Sequence, residues 1–189
     1  MKRIFGTSSR APLHKTFTLI PYPAANIPAI EITGAIIRQD NIISIHYSVR
    51  GEIKNILLPN PSTSSRKDDL WKATCFEFFI AIPNLPEYWE FNMSPSSEWN
   101  IYHMDTYRRI GFREESAIDE LQFAFKQTAN EFSADISVNL HSIIRLVQNL
   151  QVNVTAIIQT KDKNETYWSL AHPSQQADFH LKESFIINI

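Results

Sequence analysis

Residues 70–109 read LWKATCFEFFIAIPNLPEYWEFNMSPSSEWNIYHMDTYRR, and this stretch decides the fold. It contains two strand-length runs, 73–82 and 87–94, which are separated by the turn-forming sequence PNLP. Both runs are rich in aromatic residues, which favour strands, and a four-residue interval is common in hairpins. The stretch therefore predicts an antiparallel hairpin followed by a third strand at 99–107.

Alternation along these runs sorts the side chains onto two faces of a sheet. The apolar face would carry Phe76, Phe78, Ile80, Trp89, Phe91 and Met93. The opposite, mixed face would carry Glu77, Phe79, Tyr88, Glu90, Asn92, Asn100, Tyr102 and Met104. In a hairpin Glu77 would lie beside Glu90 or Asn92, so we predict a polar row with tyrosines nearby.

Period-two alternation continues through most of the chain. Further strand-like runs lie at 30–38, 43–49, 52–58, 121–128, 131–138, 151–160, 165–171 and 182–189. About ten to twelve short strands at such regular spacing predict an all-β fold, an antiparallel, jelly-roll-like β-sandwich or a barrel. We expect at most two short helical segments, one at 139–148 capped by Asn139 and a single turn at 114–120.

The composition of the chain argues against several classes of function. The 189 residues carry a net charge of −2, so no basic surface predicts nucleic-acid binding. The single cysteine, Cys75, excludes an intramolecular disulfide and fits a reducing compartment. No apolar run is long enough for a transmembrane helix and no export signal is apparent, so we predict a cytoplasmic protein. The absence of linkers and repeats predicts a single domain over residues 1–189.

Several blocks of the chain resemble the DOMON-like domain, which is related to the family 9 carbohydrate-binding modules. These blocks are LWKATCFEFF at 70–79, YWEFN at 88–92, SP at 94–95, WNIY at 99–102, AIIQ at 156–159, YWSLAHP at 167–173 and DFH at 178–180. The resemblance covers most of the chain from about residue 30. It implies a β-sandwich whose relatives bind sugars or haem, or have no known ligand.

The residues and the resemblance together predict a non-catalytic module that binds a carbohydrate or another small polar ligand. Aromatic side chains would stack on the ligand, and carboxylates, amides or imidazoles would bind its polar groups. The candidate ligand-binding residues are Trp71, Glu77, Asn92, Trp99, Tyr102, Trp168, His172, Asp178 and His180. Of these, the two histidines and Asp178 share one loop, which could also be purely structural, bind a metal or form an acid–base pair instead of binding a ligand.

Other interpretations stay open at this stage. The mixed face could be a solvated surface without a ligand, or the domain could bind a protein partner along a strand edge. The haem-binding relatives use one Met and one His, and this chain offers Met93, Met104, His103, His172 and His180. Calcium is a further alternative, for which the carboxylates of Asp68 and Asp69 are candidates. The sequence demands no cofactor, and no GxSxG, P-loop or GxGxxG motif indicates an enzyme.

Overall fold

The computed structural model describes residues 11–108, 112–145 and 148–189. In chain order the strands within them are β1 (Leu13–Pro21), β2 (Ile30–Gln39), β3 (Ile42–Gly51), β4 (Ser65–Arg66), β5 (Cys75–Ala81), β6 (Tyr88–Met93), β7 (Glu98–Met104), β8 (Arg113–Glu114), β9 (Gln122–Gln127), β10 (Glu131–Asn139), β11 (Gln151–Gln159), β12 (Glu165–Ser169) and β13 (Ile187–Asn188). Helical structure in the described residues is confined to three short 3₁₀ turns, at Ile53–Asn55, Leu70–Lys72 and Lys182–Ser184. The prediction of an all-β fold is confirmed.

The strands form one curled, mixed sheet. Their hydrogen-bonded order is β4-β7-β6-β5-β11-β12-β1-β2-β3-β10-β9, with β8 added to β7 and β13 added to β11. Strand β1 joins the two halves, because its first part pairs with β2 whereas Ile20 and Pro21 pair with β12. The β-sandwich expected from the sequence stays a prediction, since the hydrogen bonds run continuously around this corner.

The predicted hairpin is present as β5 and β6. Its connecting turn contains Asn84 in the left-handed region, at φ 67°, a conformation that asparagine tolerates better than most residues. The turn sets a register in which Glu77 lies directly opposite Asn92, and Phe79 lies opposite Glu90. The hairpin thus gathers the acidic and amide side chains on one face, as alternation predicts.

Side chains from both halves of the sheet share one apolar core. Tyr47 of β3 packs edge-on against Phe76 of β5 with ring centroids 5.1 Å apart, and Phe132 of β10 lies 5.7 Å from the same ring. The opposite face of β5, β6, β7, β11 and β12 points away from this core. It carries a second buried cluster that includes Phe79, Tyr88, Tyr102, Met104 and Ile157.

Several local predictions were wrong. Residues 140–145 form a turn rather than a helix, because Asn139 ends β10 and its side chain accepts the His141 N–H at 3.0 Å. Residues 146 and 147 of that predicted helix lie outside the described residues. The turn of helix expected at 114–120 is also absent, since Glu114 belongs to β8. Within 52–58, expected to be extended, Ile53–Asn55 forms a 3₁₀ turn.

No helix among the described residues has the length and apolar character needed to cross a membrane.

Candidate functional site

A cavity of about 510 Å³ opens on the mixed face of the sheet. We call it the face cavity, and its lining residues are Trp71, Glu77, Phe79, Glu90, Met104, Arg108, Phe112, Ile157, Tyr167, Ala177, Phe179 and His180. Strands β5, β6, β7, β11 and β12 supply its base, whereas Arg108, Phe112 and the segment at 177–180 supply its rim. Protein pockets for small molecules commonly enclose about 300–1,000 Å³, so this cavity has the size of a ligand site.

The base of the cavity carries two buried carboxyl groups. Glu77 on β5 is 2% exposed, and Glu90 on β6 is 6% exposed. Burial raises the pKa of Glu77 well above its usual value, and the neighbouring charge of Glu90 raises that pKa further. Burial likewise raises the pKa of Glu90, to about 7, although hydrogen bonding by Asn92 and the charge of Arg108 oppose the rise. Near neutral pH the pair therefore retains protons that exposed carboxyls would have lost.

Hydrogen bonds satisfy this acidic pair only in part. Asn92 Nδ2 donates to Glu90 Oε1 at 2.8 Å, and the Thr155 hydroxyl donates to Glu77 Oε2 at 3.3 Å. Within the described part of the chain, Glu77 Oε1 and Asn92 Oδ1 have no hydrogen-bond partner although both atoms are buried. A buried acceptor without a partner costs about 1–3 kcal/mol, so such atoms in a cavity indicate a place for a donor group.

Aromatic side chains form one wall of the cavity. Trp71, from the 3₁₀ turn that precedes β5, meets the ring of Tyr102 edge-on with centroids 5.9 Å apart. Phe112 stacks on Tyr102 with ring centroids 4.8 Å apart and is 49% exposed. Tyr102 itself is held by its hydroxyl, which donates to Asp68 Oδ1 at 2.6 Å. The wall is therefore partly fixed and partly open to a ligand.

The rim is organised by an ion pair. Arg108 Nη2 lies 2.8 Å from Asp178 Oδ1, and the hydroxyl of Tyr107 also donates to Asp178. Burial raises the pKa of Asp178, but the hydrogen bonds from Arg108 and Tyr107 outweigh burial and hold it below its usual value. Arg108 has a φ of 60°, a strained conformation for a residue with a side chain, and its N–H donates to the Tyr88 hydroxyl at 3.2 Å. The charge of Arg108 is thus already neutralised within the protein.

His180 completes the rim as a neutral imidazole. Burial and the nearby charge of Arg108 lower its pKa to about 4, so it carries no charge at neutral pH. Its Nδ1 lies 3.0 Å from the Tyr88 hydroxyl, and its ring packs edge-on against Phe79 with centroids 5.3 Å apart. Either the Tyr88 hydroxyl donates to Nδ1 or Nδ1–H donates to the hydroxyl, depending on which imidazole nitrogen carries the proton.

The structure brings six of the nine predicted ligand-binding residues to this region. Trp71, Glu77 and His180 line the cavity. Asn92, Tyr102 and Asp178 touch lining residues: Asn92 binds Glu90, Tyr102 packs on Trp71 and Phe112, and Asp178 binds Arg108.

The structure places the other three predicted residues elsewhere. Trp99 lies on the opposite face of the sheet, in the apolar core, beneath the Arg66 guanidinium at 4.4 Å from its ring. Trp168 is also in that core, where its indole N–H donates to the Thr166 hydroxyl at 3.0 Å. His172 lies at the junction of β1 and β12, and its Nε2 is 2.9 Å from the Ile20 carbonyl. None of the three lines the face cavity.

The loop at 172–180 does not form the acid–base pair considered from its sequence. Asp178 Oδ1 accepts the backbone N–H of His180 at 3.0 Å, whereas the His180 ring bonds to Tyr88. His172 is held by β1 instead. Within the described residues, no group of three or more His, Cys, Asp or Glu side chains is arranged to hold a metal ion. Asp68 and Asp69, the calcium candidates, are bonded to Tyr102 and Lys72 respectively.

Some cavity residues escaped the sequence-based selection. Glu90, Phe79 and Met104 had already been placed on the mixed face by alternation, and that signal alone could have selected them. Phe112 and Phe179 come from loops, where no periodicity predicts direction. Arg108 follows the end of β7, and its left-handed backbone had no signature in the sequence.

Comparisons with known proteins show a likeness in fold to a solved structure. No protein-family model matches the chain, and no curated protein matches it significantly. A crystal structure from Bacteroides uniformis ATCC 8492, described as a "putative carbohydrate-binding protein", is similar in fold, with a TM-score of 0.65 and 12% sequence identity. The match covers 90% of this chain and 83% of that chain. At this identity the likeness establishes a shared fold.

Proposed function

We propose that this protein is a non-catalytic binding protein whose face cavity holds a carbohydrate or another small polar ligand of similar size. The observation that carries the proposal is the pairing of an open aromatic wall with buried, unpartnered acceptor oxygens. Rings such as Trp71 and Phe112 offer apolar contact to the C–H face of a sugar, whereas Glu77 offers an acceptor to a hydroxyl.

The arrangement favours binding over catalysis. His180 is neutral and bonded to Tyr88, and Asp178 is engaged by Arg108, so the described residues of the rim offer no free acid–base pair. The described carbohydrate-binding character of the structural neighbour supports the same choice of ligand class. The kinship with DOMON-like and family 9 modules, and the sandwich that it implies, form part of this proposal and are supported by the sequence blocks quoted above.

The proposal is tested by screening the protein against a glycan array and measuring the best ligands by isothermal titration calorimetry. Phe112→Ala removes a half-exposed ring from the wall, and we expect it to weaken binding by about 1–3 kcal/mol while the protein stays folded. Ile42→Ala is the matched control, because Ile42 is exposed to a similar extent, 46%, and does not line the cavity. Equal affinity of both variants and the wild type would refute the site.

A second candidate, haem, is favoured by one specific observation. Among the methionines and histidines considered from the sequence, Met104 and His180 line the same cavity, and in the tautomer whose Nδ1–H donates to the Tyr88 hydroxyl, His180 Nε2 carries a lone pair that could bind iron. Those two residues would hold the haem iron. The acidic base fits haem less well, because the porphyrin face brings no donor for Glu77 Oε1. A Soret band that saturates at one haem per chain and disappears in His180→Ala would favour haem.

A further inference from the structure

The base of the face cavity is rich in acceptors and carries no free positive charge. We define the acidic base as Glu77, Glu90 and Asn92. Glu77 and Asn92 are directly opposed across β5 and β6, a relation that places Cβ atoms about 4.5–5.5 Å apart. Glu90 is two positions from Asn92 on the same face of β6 and is hydrogen-bonded to it. The three side chains therefore form one compact acceptor surface.

The donors that the protein supplies to this surface are few. Thr155 serves one oxygen of Glu77, and Asn92 serves one oxygen of Glu90. Glu77 Oε1 and Asn92 Oδ1 are buried without partners in the described residues. In the same part of the chain, Arg108 is the one Lys or Arg that lines the cavity, and it pairs with Asp178. Two carboxyl groups thus face the cavity without a dedicated counter-charge.

Resting on the proposed function, we infer that the ligand of the face cavity carries a protonated amino group, as in an amino sugar, and that this group binds at the acidic base. An ammonium group has three N–H donors and no acceptor, which matches the acidic base in its ionised form, when both carboxylates only accept hydrogen bonds. Its charge compensates the carboxylates, and a desolvated charge-assisted bond is stronger than a neutral one. A hydroxyl group would supply a single donor and no charge.

The aromatic surroundings suit the same group. Trp71, Phe79, Tyr167 and Phe179 all line the cavity around the acidic base. Ring faces attract cations, by about 0.5–2 kcal/mol depending on desolvation. An anionic ligand is disfavoured at the same place, because the carboxyls would repel it once they ionise and the Arg108 charge is already paired with Asp178.

Binding of a cation at this surface should release protons, because the acidic pair holds protons near neutral pH when the cavity is free. The titratable groups that face the pair from the neighbouring elements are Cys75 on β5, Tyr88 on β6, Tyr102 on β7, Tyr167 on β12, Arg108 and Asp178 on the rim, His180, and Tyr47 behind the sheet. His180 stays neutral, Cys75 and the tyrosines stay protonated, and Arg108 and Asp178 stay paired. Proton release is therefore assigned to Glu77 and Glu90.

The test compares glucosamine, N-acetylglucosamine and glucose by calorimetry at pH 7, in phosphate and in Tris. These two buffers differ in ionisation enthalpy, so the number of protons released can be counted. We expect glucosamine to bind at least tenfold more tightly than the two neutral sugars and to release protons, whereas the neutral sugars release none. Glu90→Gln, which leaves Glu77 as the single carboxyl of the acidic base, should reduce both the preference and the number of protons released, and Glu31→Gln, an exposed position on β2, should change neither.

The outcomes separate this inference from the proposed function. If the three sugars bind with equal affinity, or if Glu90→Gln keeps the preference for glucosamine undiminished, the amine inference is overturned and carbohydrate binding stands. If a neutral sugar binds and glucosamine does not, the same conclusion follows. If none of the three binds and the glycan array is also blank, both the inference and the proposed function fail.

Discussion

The buried carboxyl of Glu90 should make the protein less stable as the pH rises. In the folded chain its pKa is raised from 4.5 to about 7. A carboxyl with a raised folded-state pKa favours the folded state fully below pH 4.5, and this contribution is lost as the pH rises through about 7. The pKa difference is about 2.5, and each unit is worth about 1.36 kcal/mol, so the loss amounts to about 3 kcal/mol.

Glu90→Gln replaces this titrating group by a neutral side chain of the same shape that can still accept from Asn92. We expect the variant to match the wild type near pH 4.5 and to be more stable by about 3 kcal/mol at pH 8 to 9. Urea unfolding followed by tryptophan fluorescence, at intervals of one pH unit, measures the free energy of unfolding directly. Glu31→Gln, which changes an exposed carboxyl on β2, is the control and should show no such divergence.

The reasoning about the acidic base would be refuted by a difference between variant and wild type that does not change with pH. It would also be refuted if Glu90→Gln were the less stable protein at pH 8, because ionised Glu90 would then be stabilised by Arg108 more than it is penalised by burial.

Three further predictions concern the core and the sheet. Cys75 is fully buried and its thiol pKa is raised, so it should react with a thiol reagent such as DTNB only after unfolding; rapid reaction of the folded protein would contradict its placement. Trp99→Ala should lower the free energy of unfolding by about 3–5 kcal/mol, because the indole fills the core. The variant should leave the face cavity intact, so a loss of ligand affinity without a loss of stability would contradict this placement. Gly34→Ala would place a Cβ 2.0 Å from the His46 carbonyl and 2.4 Å from Phe17, so we expect a lower melting temperature than that of Ala35→Gly, a control at the adjacent position of the same strand.

Much of the sheet was predictable because alternation depends only on which side chains are buried. The hairpin of β5 and β6, with Glu77 beside Asn92, follows from that pattern and from the turn at 83–86. Strand β1 was missed because only Phe17 and Leu19 of its nine residues are fully buried, which leaves a short apolar signal. The continuity of the sheet through β1 could not be predicted either, because it depends on the pairing of β1 with β12, which is distant in the sequence.

The candidate site was predictable in part for the same reason. Alternation places Glu77, Glu90 and Asn92 on one face. It also places Trp99 and Tyr102 on opposite faces of β7, so Trp99 and Tyr102 could not line the same cavity. Trp99 was predicted to bind the ligand because it is aromatic and lies in a block that resembles binding modules. The structure shows that it fills the apolar core instead. The rim could not be predicted, because the directions of Arg108 and Phe112 are set by loops whose contacts are non-local.

The most direct test of the account is a crystal structure of the protein soaked with the saccharide that binds most tightly on the array. The account predicts ligand density in the face cavity, with a ring against Trp71 or Phe112 and a donor atom about 2.7–3.2 Å from Glu77 Oε1. Density at another surface, with Glu77 still unpartnered, would contradict it.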